Sequence, residues 1–169
     1  MNIEIRTGRS EDIQEIMGLI ARCVQVMQAG GSDQWDEFYP NRDVIGEDLR
    51  NGTLFVAEGE GRILGIVVLD ETQDEQYQTI NWKQAEGPHL MMHRLAVDPK
   101  AQGKGIARKL VAFSEEYGIR GGYSSLRLDT YSKNASALKL YQGLGYDLRG
   151  EVNFPGRVAS FPVFEKVFQ

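Results

Sequence analysis

Residues 95–108 run Leu95-Ala96-Val97-Asp98-Pro99-Lys100-Ala101-Gln102-Gly103-Lys104-Gly105-Ile106-Ala107-Arg108, and no other part of the sequence constrains the molecule as tightly. An apolar strand delivers the main chain to a short loop with two glycines, and a helix begins at once. Glycine turns without a Cβ clash, so several N–H groups can converge on one point. The first amides of a helix have no internal partner, and the helix dipole adds about half a positive charge there. Together these make an anion site suited to a phosphate or pyrophosphate. Lys100, Lys104, Arg108 and Lys109 gather around it in a chain of formal net charge −5. The plain structural alternative is a Gly-containing turn with a solvated basic face. Two other phosphate loops do not fit. No Gly-x-x-x-x-Gly-Lys-Ser/Thr run exists, and G-x-G-x-x-G fails where Arg108 stands in the last place.

Outward from this stretch, the pattern is that of alternating strands and helices. Leu90–Val97 reads as a strand of nearly continuous apolarity, as expected for one buried on both faces. A helix over about 105–117 turns Ile106, Leu110, Phe113 and Tyr117 to one side, and Leu126–Asp129 reads as a strand. Asn134 looks like the cap of a helix carrying Ala137, Leu138, Leu140 and Tyr141, and strands follow over 146–152 and 163–168. Towards the N-terminus, Asn2–Arg6 alternates as a strand. Ser10 is placed as an N-cap before the helical stripe Ile13, Ile16, Met17, Ile20 and Val24. Asp43 could cap a second helix with Val44, Ile45 and Leu49 inside. Residues 53–58 and 62–69 read as a hairpin closed by Gly59-Glu60-Gly61. The 19-residue polar stretch over 70–88 has no clear period, so it hides a short element around Tyr77–Trp82 or serves as a functional loop. Helices on both faces of a mixed sheet are the natural layered solution for such an order.

The 169 residues are about one domain's worth, and a single domain over 1–169 is expected. The apolar fraction is 41% and the charged fraction 25%, which excludes collagen-like and wholly disordered classes. The acidic balance speaks against a nucleic-acid partner. No run is long enough to span a membrane, and the start lacks a signal peptide's pattern, so a cytoplasmic setting is expected. The single cysteine, Cys23, falls in the first helical stripe and reads as a buried thiol; no metal site can be assembled around it.

Gln102-Gly103-Lys104-Gly105-Ile106-Ala107 resembles Q/R-x-x-G-x-G/A, the acyl-CoA pyrophosphate loop of the GNAT superfamily of N-acetyltransferases, and the preceding Leu95-Ala96-Val97-Asp98-Pro99 is similar to its L-x-V-x-P. Leu126-Arg127-Leu128-Asp129-Thr130, then Asn134, Ala137, Leu140, Tyr141, Gly145 and Tyr146, resemble the next strand and helix. Phe164-Glu165-Lys166 resembles the closing strand. The likeness covers about 90–168, while 70–89 matches no known pattern. It implies an α/β fold: a central mixed, mostly antiparallel sheet of six or seven strands flanked by about four helices. A homodimer is compatible with the family, although no sequence feature demands one.

The resemblance also implies direct attack of a primary amine on acetyl-CoA, with no metal. Main-chain amides of Gln102, Gly103, Lys104, Gly105, Ile106 and Ala107, with Arg108 beside them, would take the pyrophosphate. Leu95, Ala96 and Val97 would take the pantetheine arm, and an amide there would polarise the acetyl oxygen. Asn134 fills the family's CoA-contacting position, and a helix cap explains the same residue. Tyr141 matches the tyrosine that protonates the leaving thiolate; a core aromatic is the plain alternative. His93, two residues before Leu95, is the candidate base, since imidazole titrates near neutrality. A buried structural histidine, a carboxylate or water are the alternatives there. His89 is expected at the surface or at a strand start. On the acceptor side, Trp35 and Tyr39 stand among acids in Gln34–Tyr39, and Asp70–Glu86 carries the same mixture, one that attracts and desolvates a cationic amine. The same residues could equally be tucked inward beside solvated charge. The acceptor is therefore read as a small amine, polyamine, amino acid or peptide N-terminus. A non-catalytic acyl-CoA sensor of the same fold is the second reading.

Overall fold

The computed structural model describes residues 2–169. Seven strands form a mixed sheet in the order β1-β2-β3-β4-β5-β7-β6, with four α-helices. The chain divides into two compact units. One takes the residues up to Leu69 with Arg94–Phe113, and the other takes Asp70–His93 with Ser114–Gln169.

In the first unit, β1 (Glu4–Thr7) pairs antiparallel with β2 (Leu54–Gly59), and β2 with β3 (Arg62–Asp70). The expected hairpin is present. Glu60 and Gly61 both have positive φ, 54° and 74°, as a two-residue turn matched to strand twist requires. The helix α1 (Ile13–Ala29) buries Ile16, Leu19, Ile20, Cys23 and Val24, so that Leu19 and Cys23 join the stripe that the sequence suggested while its Ile13 and Met17 are partly buried. This face packs with Ile45, Leu49, Leu54, Val56, Ile66 and Val68. Burial pushes the Cys23 thiol up to about 11, as suits an inert core cysteine.

Two caps differ from the reading. Ser10 lies in a 3-10 turn over Ser10–Asp12, and it is the Asp12 carboxylate that accepts the Arg9 N–H at 2.7 Å while pairing with Arg6 at 2.8 Å. The helix α2 (Arg42–Arg50) is capped by Asn41, whose Oδ1 accepts the Val44 N–H at 2.9 Å; Asp43 sits inside the first turn.

In the second unit, β5 (Ser125–Asp129) runs parallel to the start of β4 (His89–Val97), from His89 opposite Ser125 to Met91 opposite Arg127. On its other side β5 pairs antiparallel with β7 (Phe161–Val167), which pairs antiparallel with β6 (Asp147–Val152). The helix α4 (Ala135–Gly143) begins at Asn134, whose Oδ1 accepts the Ala137 N–H at 3.1 Å, as the sequence suggested.

The 70–88 segment holds one short element, a 3-10 turn over Glu75–Thr79 that buries Tyr77 beside Met91, Tyr131 and Val163. The rest is tied down through main-chain groups. The fully buried Glu165 carboxylate accepts the N–H groups of Lys83 and Gln84, each at 2.9 Å. Arg127 donates to Gln84 O at 2.9 Å and to Gln73 Oε1 at 2.8 Å, and lies 3.8 Å over the Trp82 ring.

Candidate active site

The loop after β4 has a defined backbone course around the two glycines that the sequence singles out. Asp98 folds its carboxylate back onto the Lys100 N–H at 3.0 Å and is held by Arg22 at 2.8 Å, fixing a 3-10 turn over Pro99–Ala101. Gly103 and Gly105 then take φ of +80° and +73°, while a Cβ at either would meet nothing within 4 Å. The demand for glycine is therefore conformational rather than steric. Gln102, Gly103, Lys104 and Gly105 are exposed. The helix α3 (Ile106–Arg120) follows, and Lys109 N–H to Gly105 O, at 3.1 Å, closes its first turn. The amides of Ile106, Ala107 and Arg108 precede that bond and stand outside the helix ladder, as at any helix start. Ile106 is buried and anchors the turn near Gly65, where a Cβ would come within about 3 Å of Ala96 O and of the Ile106 and Leu110 side chains. Lys100, Lys104, Arg108 and Lys109, in and beside this loop, are exposed.

The strand leading in is not the uniform buried run that the sequence suggested. Leu90–Met92 are buried, but His93, Arg94 and Leu95 are only partly so. Arg94 has φ +52°, a left-handed conformation costly for a side chain of this size. Its guanidinium donates two hydrogen bonds to the Asp48 carboxylate, at 2.9 and 2.8 Å, and a further one to the Tyr39 hydroxyl at 3.0 Å. A left-handed residue inside a strand breaks the pleat and re-aims the amides that follow, here those of Leu95, Ala96 and Val97. Tyr39 is thus half exposed and tied to Arg94, whereas Trp35, 5% exposed, belongs to the core around α1. Of the two aromatics read as acceptor-binding, Trp35 therefore serves packing.

The groups read as candidates for proton transfer, His93 and Tyr141, fall in the second unit. His93 Nε2 lies 2.8 Å from Asp70 Oδ1. A carboxylate only accepts, so Nε2 carries a proton in this bond, and in the neutral imidazole Nδ1 is then the acceptor. Pairing between β4 and β5 covers Ser125–Arg127, so Leu128 and Asp129 at the strand end have β7 as their ladder neighbour. The Tyr77 hydroxyl donates to Asp129 Oδ2 at 2.6 Å. Burial holds the Asp129 carboxyl above its ordinary range and, with Asp129 nearby, pushes the Tyr77 phenol up. Tyr141, 4% exposed, packs against Tyr146 and Phe164 with ring centroids 5.8 Å away. Burial first, then the Asp129 charge, raises its pKa well above that of a free tyrosine. Among the described residues no group pairs with the Tyr141 hydroxyl. Asp129 escaped assignment from sequence, and Asp70 and Tyr77 were legible only as part of the acid-and-aromatic stretch 70–86, because their partners lie 23 to 52 residues away.

His89 opens β4, as expected, but it is buried rather than at the surface. Its ring meets Ser125 Oγ at 2.7 Å, Ala85 O at 3.1 Å and Arg127 Nη2 at 3.1 Å. Burial chiefly, with Arg127 adding to it, holds its pKa below the ordinary value, against the opposing pull of Ala85 O, Glu165 and Glu86. The unfolded chain therefore takes this proton first. Stability present above about pH 6.5 is lost as pH falls through that value. Tm is expected to fall between about pH 7.5 and pH 5.5, and His89→Gln to flatten that slope. An unaltered slope in the variant would remove His89 as its source.

The model of the Acetyltransferase (GNAT) family matches residues 20–146. The chain is 23% identical over 158 residues to the uncharacterized N-acetyltransferase YesJ of Bacillus subtilis (strain 168), covering 92% of this chain and 85% of that one. A crystal structure of a GNAT-family acetyltransferase from Streptococcus agalactiae 2603 matches with a TM-score of 0.86 and 27% identity, over 99% of this chain and 96% of that one. The PaiA N-acetyltransferase of Thermoplasma acidophilum, solved in complex with coenzyme A, shares the fold at a TM-score of 0.74 and 16% identity, with 99% and 100% of the two chains covered.

Proposed function

We propose, from the premise that this chain belongs to the GNAT family of acetyltransferases and is an acetyl-CoA-dependent N-acetyltransferase, that its acceptor is a primary amine carrying positive charge at neutral pH. The observation that carries this reading is the grouping of His93, Asp70, Asp129 and Tyr141 within one compact unit. That grouping offers a proton acceptor, two carboxylates and a proton donor.

The loop residues fit acetyl-CoA. Two exposed glycines in left-handed conformation, helix amides without ladder partners and four cationic side chains suit a pyrophosphate. Gln102, Gly103, Lys104, Gly105, Ile106, Ala107 and Arg108 would hold it, with Leu95, Ala96 and Val97 along the pantetheine arm and Asn134 as a further contact. Acetyl-CoA supplies the activated acetyl group. Asp70 holds the His93 ring with Nδ1 free, and Nδ1 takes the proton that the amine must lose. Tyr141, kept protonated by burial, gives its proton to the departing sulfur.

The test is a thermal shift with acetyl-CoA, CoA, ATP and NAD, followed by thiol release over a set of amines. Ligand at 100 times Kd stabilises by about 2.7 kcal/mol, roughly 5–10 °C for a chain of this size. A shift with the two CoA species alone, and thiol release with cationic amines, is the expected result. A shift without release would favour the non-catalytic acyl-CoA sensor, and a shift with ATP or NAD instead would overturn the loop's role.

A further inference from the structure

Left-handed backbone in the first unit falls mostly on glycine: Gly31, Gly52, Gly61, Gly103 and Gly105 all have positive φ. Glu60 shares the hairpin turn with Gly61. Arg94, with φ +52°, is the exception inside a strand, and nothing in its own chemistry favours that conformation. What holds it lies on α2. Asp48, on the buried face of that helix with Ile45 and Leu49, accepts the Arg94 fork at both carboxylate oxygens, 2.9 Å from Nε and 2.8 Å from Nη2. The Arg94 and Asp48 side chains are 15% and 9% exposed, so little water competes. A two-point fork fixes the guanidinium in plane and direction, which a single contact would not. The far end of the same stretch is clamped from α1. There the Cys23 thiol donates to Val97 O at 3.4 Å, and Arg22 pairs with Asp98 at 2.8 Å. Leu95, Ala96 and Val97 thus run between two fixed points.

Glycine at position 94 would take the left-handed turn without strain, but it would carry no handle for a neighbouring helix. We propose that Asp48 is a positioning residue for acetyl transfer: through Arg94 it holds the left-handed turn in β4, and so sets where the amides of Leu95, Ala96 and Val97 point. This rests on the reading that one of those amides polarises the acetyl oxygen of acetyl-CoA. An amide aimed at that oxygen stabilises the negative charge that grows there as the amine attacks. Without the Asp48 fork, residue 94 relaxes towards extended backbone and the amides swing off their line. Asp48 itself touches neither acetyl-CoA nor the amine. The pyrophosphate loop keeps its course, because Asp98 and Arg22 fix its start independently.

The test uses the whole chain with acetyl-CoA labelled at its carbonyl, read by difference infrared spectroscopy, beside thiol release with a straight-chain alkyl monoamine. In the wild type the bound thioester carbonyl is expected to absorb at lower frequency than in solution. Asp48→Asn should abolish most of that shift and lower kcat by about 10²-fold, the scale of a misplaced reacting group. The thermal shift with free CoA should persist, showing a folded protein with a working loop. Arg94→Ala and Arg94→Gly separate backbone from ion pair, since both lose the fork and only glycine takes the turn freely. Arg94→Gly is expected to keep the larger carbonyl shift and to exceed Arg94→Ala in kcat by about tenfold, the scale of one residue's left-handed cost. Should Asp48→Asn fail to fold, the two arginine variants decide. The infrared arm needs no acceptor, so it decides even where the monoamine is not acetylated. A wild-type carbonyl shift in Asp48→Asn, or an Arg94→Gly no better than Arg94→Ala, would overturn the proposal and leave the pair as packing. A wild-type protein that binds no acetyl-CoA, or binds it without a carbonyl shift, would overturn the reading beneath and the proposal with it.

Discussion

Tyr141→Phe is expected to lower kcat by about 10²–10⁴-fold, the usual span for losing a positioned general acid, while acetyl-CoA affinity and Tm stay as they were. The separation follows from where the hydroxyl sits. The ring is a core element, packed on Tyr146 and Phe164, and phenylalanine keeps all of that surface. Among the described residues the oxygen has no partner, so its removal orphans nothing. Burial and the Asp129 charge hold the phenol well above a free tyrosine's pKa. It is therefore neutral, and able to donate, across any practical assay range, and no alkaline fall in rate below about pH 10 should trace to it. Steady-state kinetics with a thermal shift on acetyl-CoA would decide. An unchanged kcat would leave Tyr141 as packing only.

The largest effect on stability is expected at Glu165. Its side chain is fully buried, and its two oxygens accept the Lys83 and Gln84 amides while Arg149 lies 3.7 Å away. Glu165→Ala would take the acceptor from two main-chain amides and leave the partly buried Arg149 and the buried Arg127 short of negative charge. Breaking a buried ionic cluster from one side costs about 3–5 kcal/mol, or roughly 6–20 °C in Tm for this length. Calorimetry would read the loss, and limited proteolysis should find new cuts within 70–88. A Tm within about 2 °C of wild type would show that the segment is held by other means.

Local chemistry was legible in the sequence; long-range partnership was not. Gly103 and Gly105 announced a left-handed loop because only glycine adopts that conformation freely, and Asn134 announced a cap because its oxygen reaches an amide three residues on. Ser10 and Asp43 looked equally good as caps, yet Asp12 was drawn to Arg6 from another element, and Asn41 lay where its side chain could reach Val44. Arg94 gave no warning: a non-glycine residue with positive φ inside an apolar strand has no compositional mark, and its cause is Asp48, 46 residues away. His93 stood out by residue type, but its orientation depends on Asp70. Asp129 was visible only as the last letter of a strand until Tyr77 folded over it. Trp35 misled because an aromatic among acids looks the same whether it lines a groove or fills a core.

The anchoring of the 70–88 segment has a consequence for how such a protein changes over generations. Glu165 holds the amides of Lys83 and Gln84, Arg127 the carbonyl of Gln84, Arg149 the carbonyl of Asn81, and His89 lies against that of Ala85. These grips are blind to side-chain identity, because every residue offers a carbonyl and all but proline offer an amide. Mutation can therefore rewrite the side chains at those positions while the segment keeps its course, and the fixed course goes on delivering Asp70, Asp74 and Tyr77. A lineage carrying this architecture can try new acceptors by drift in one surface stretch, with selection guarding the handful of sheet residues that hold it.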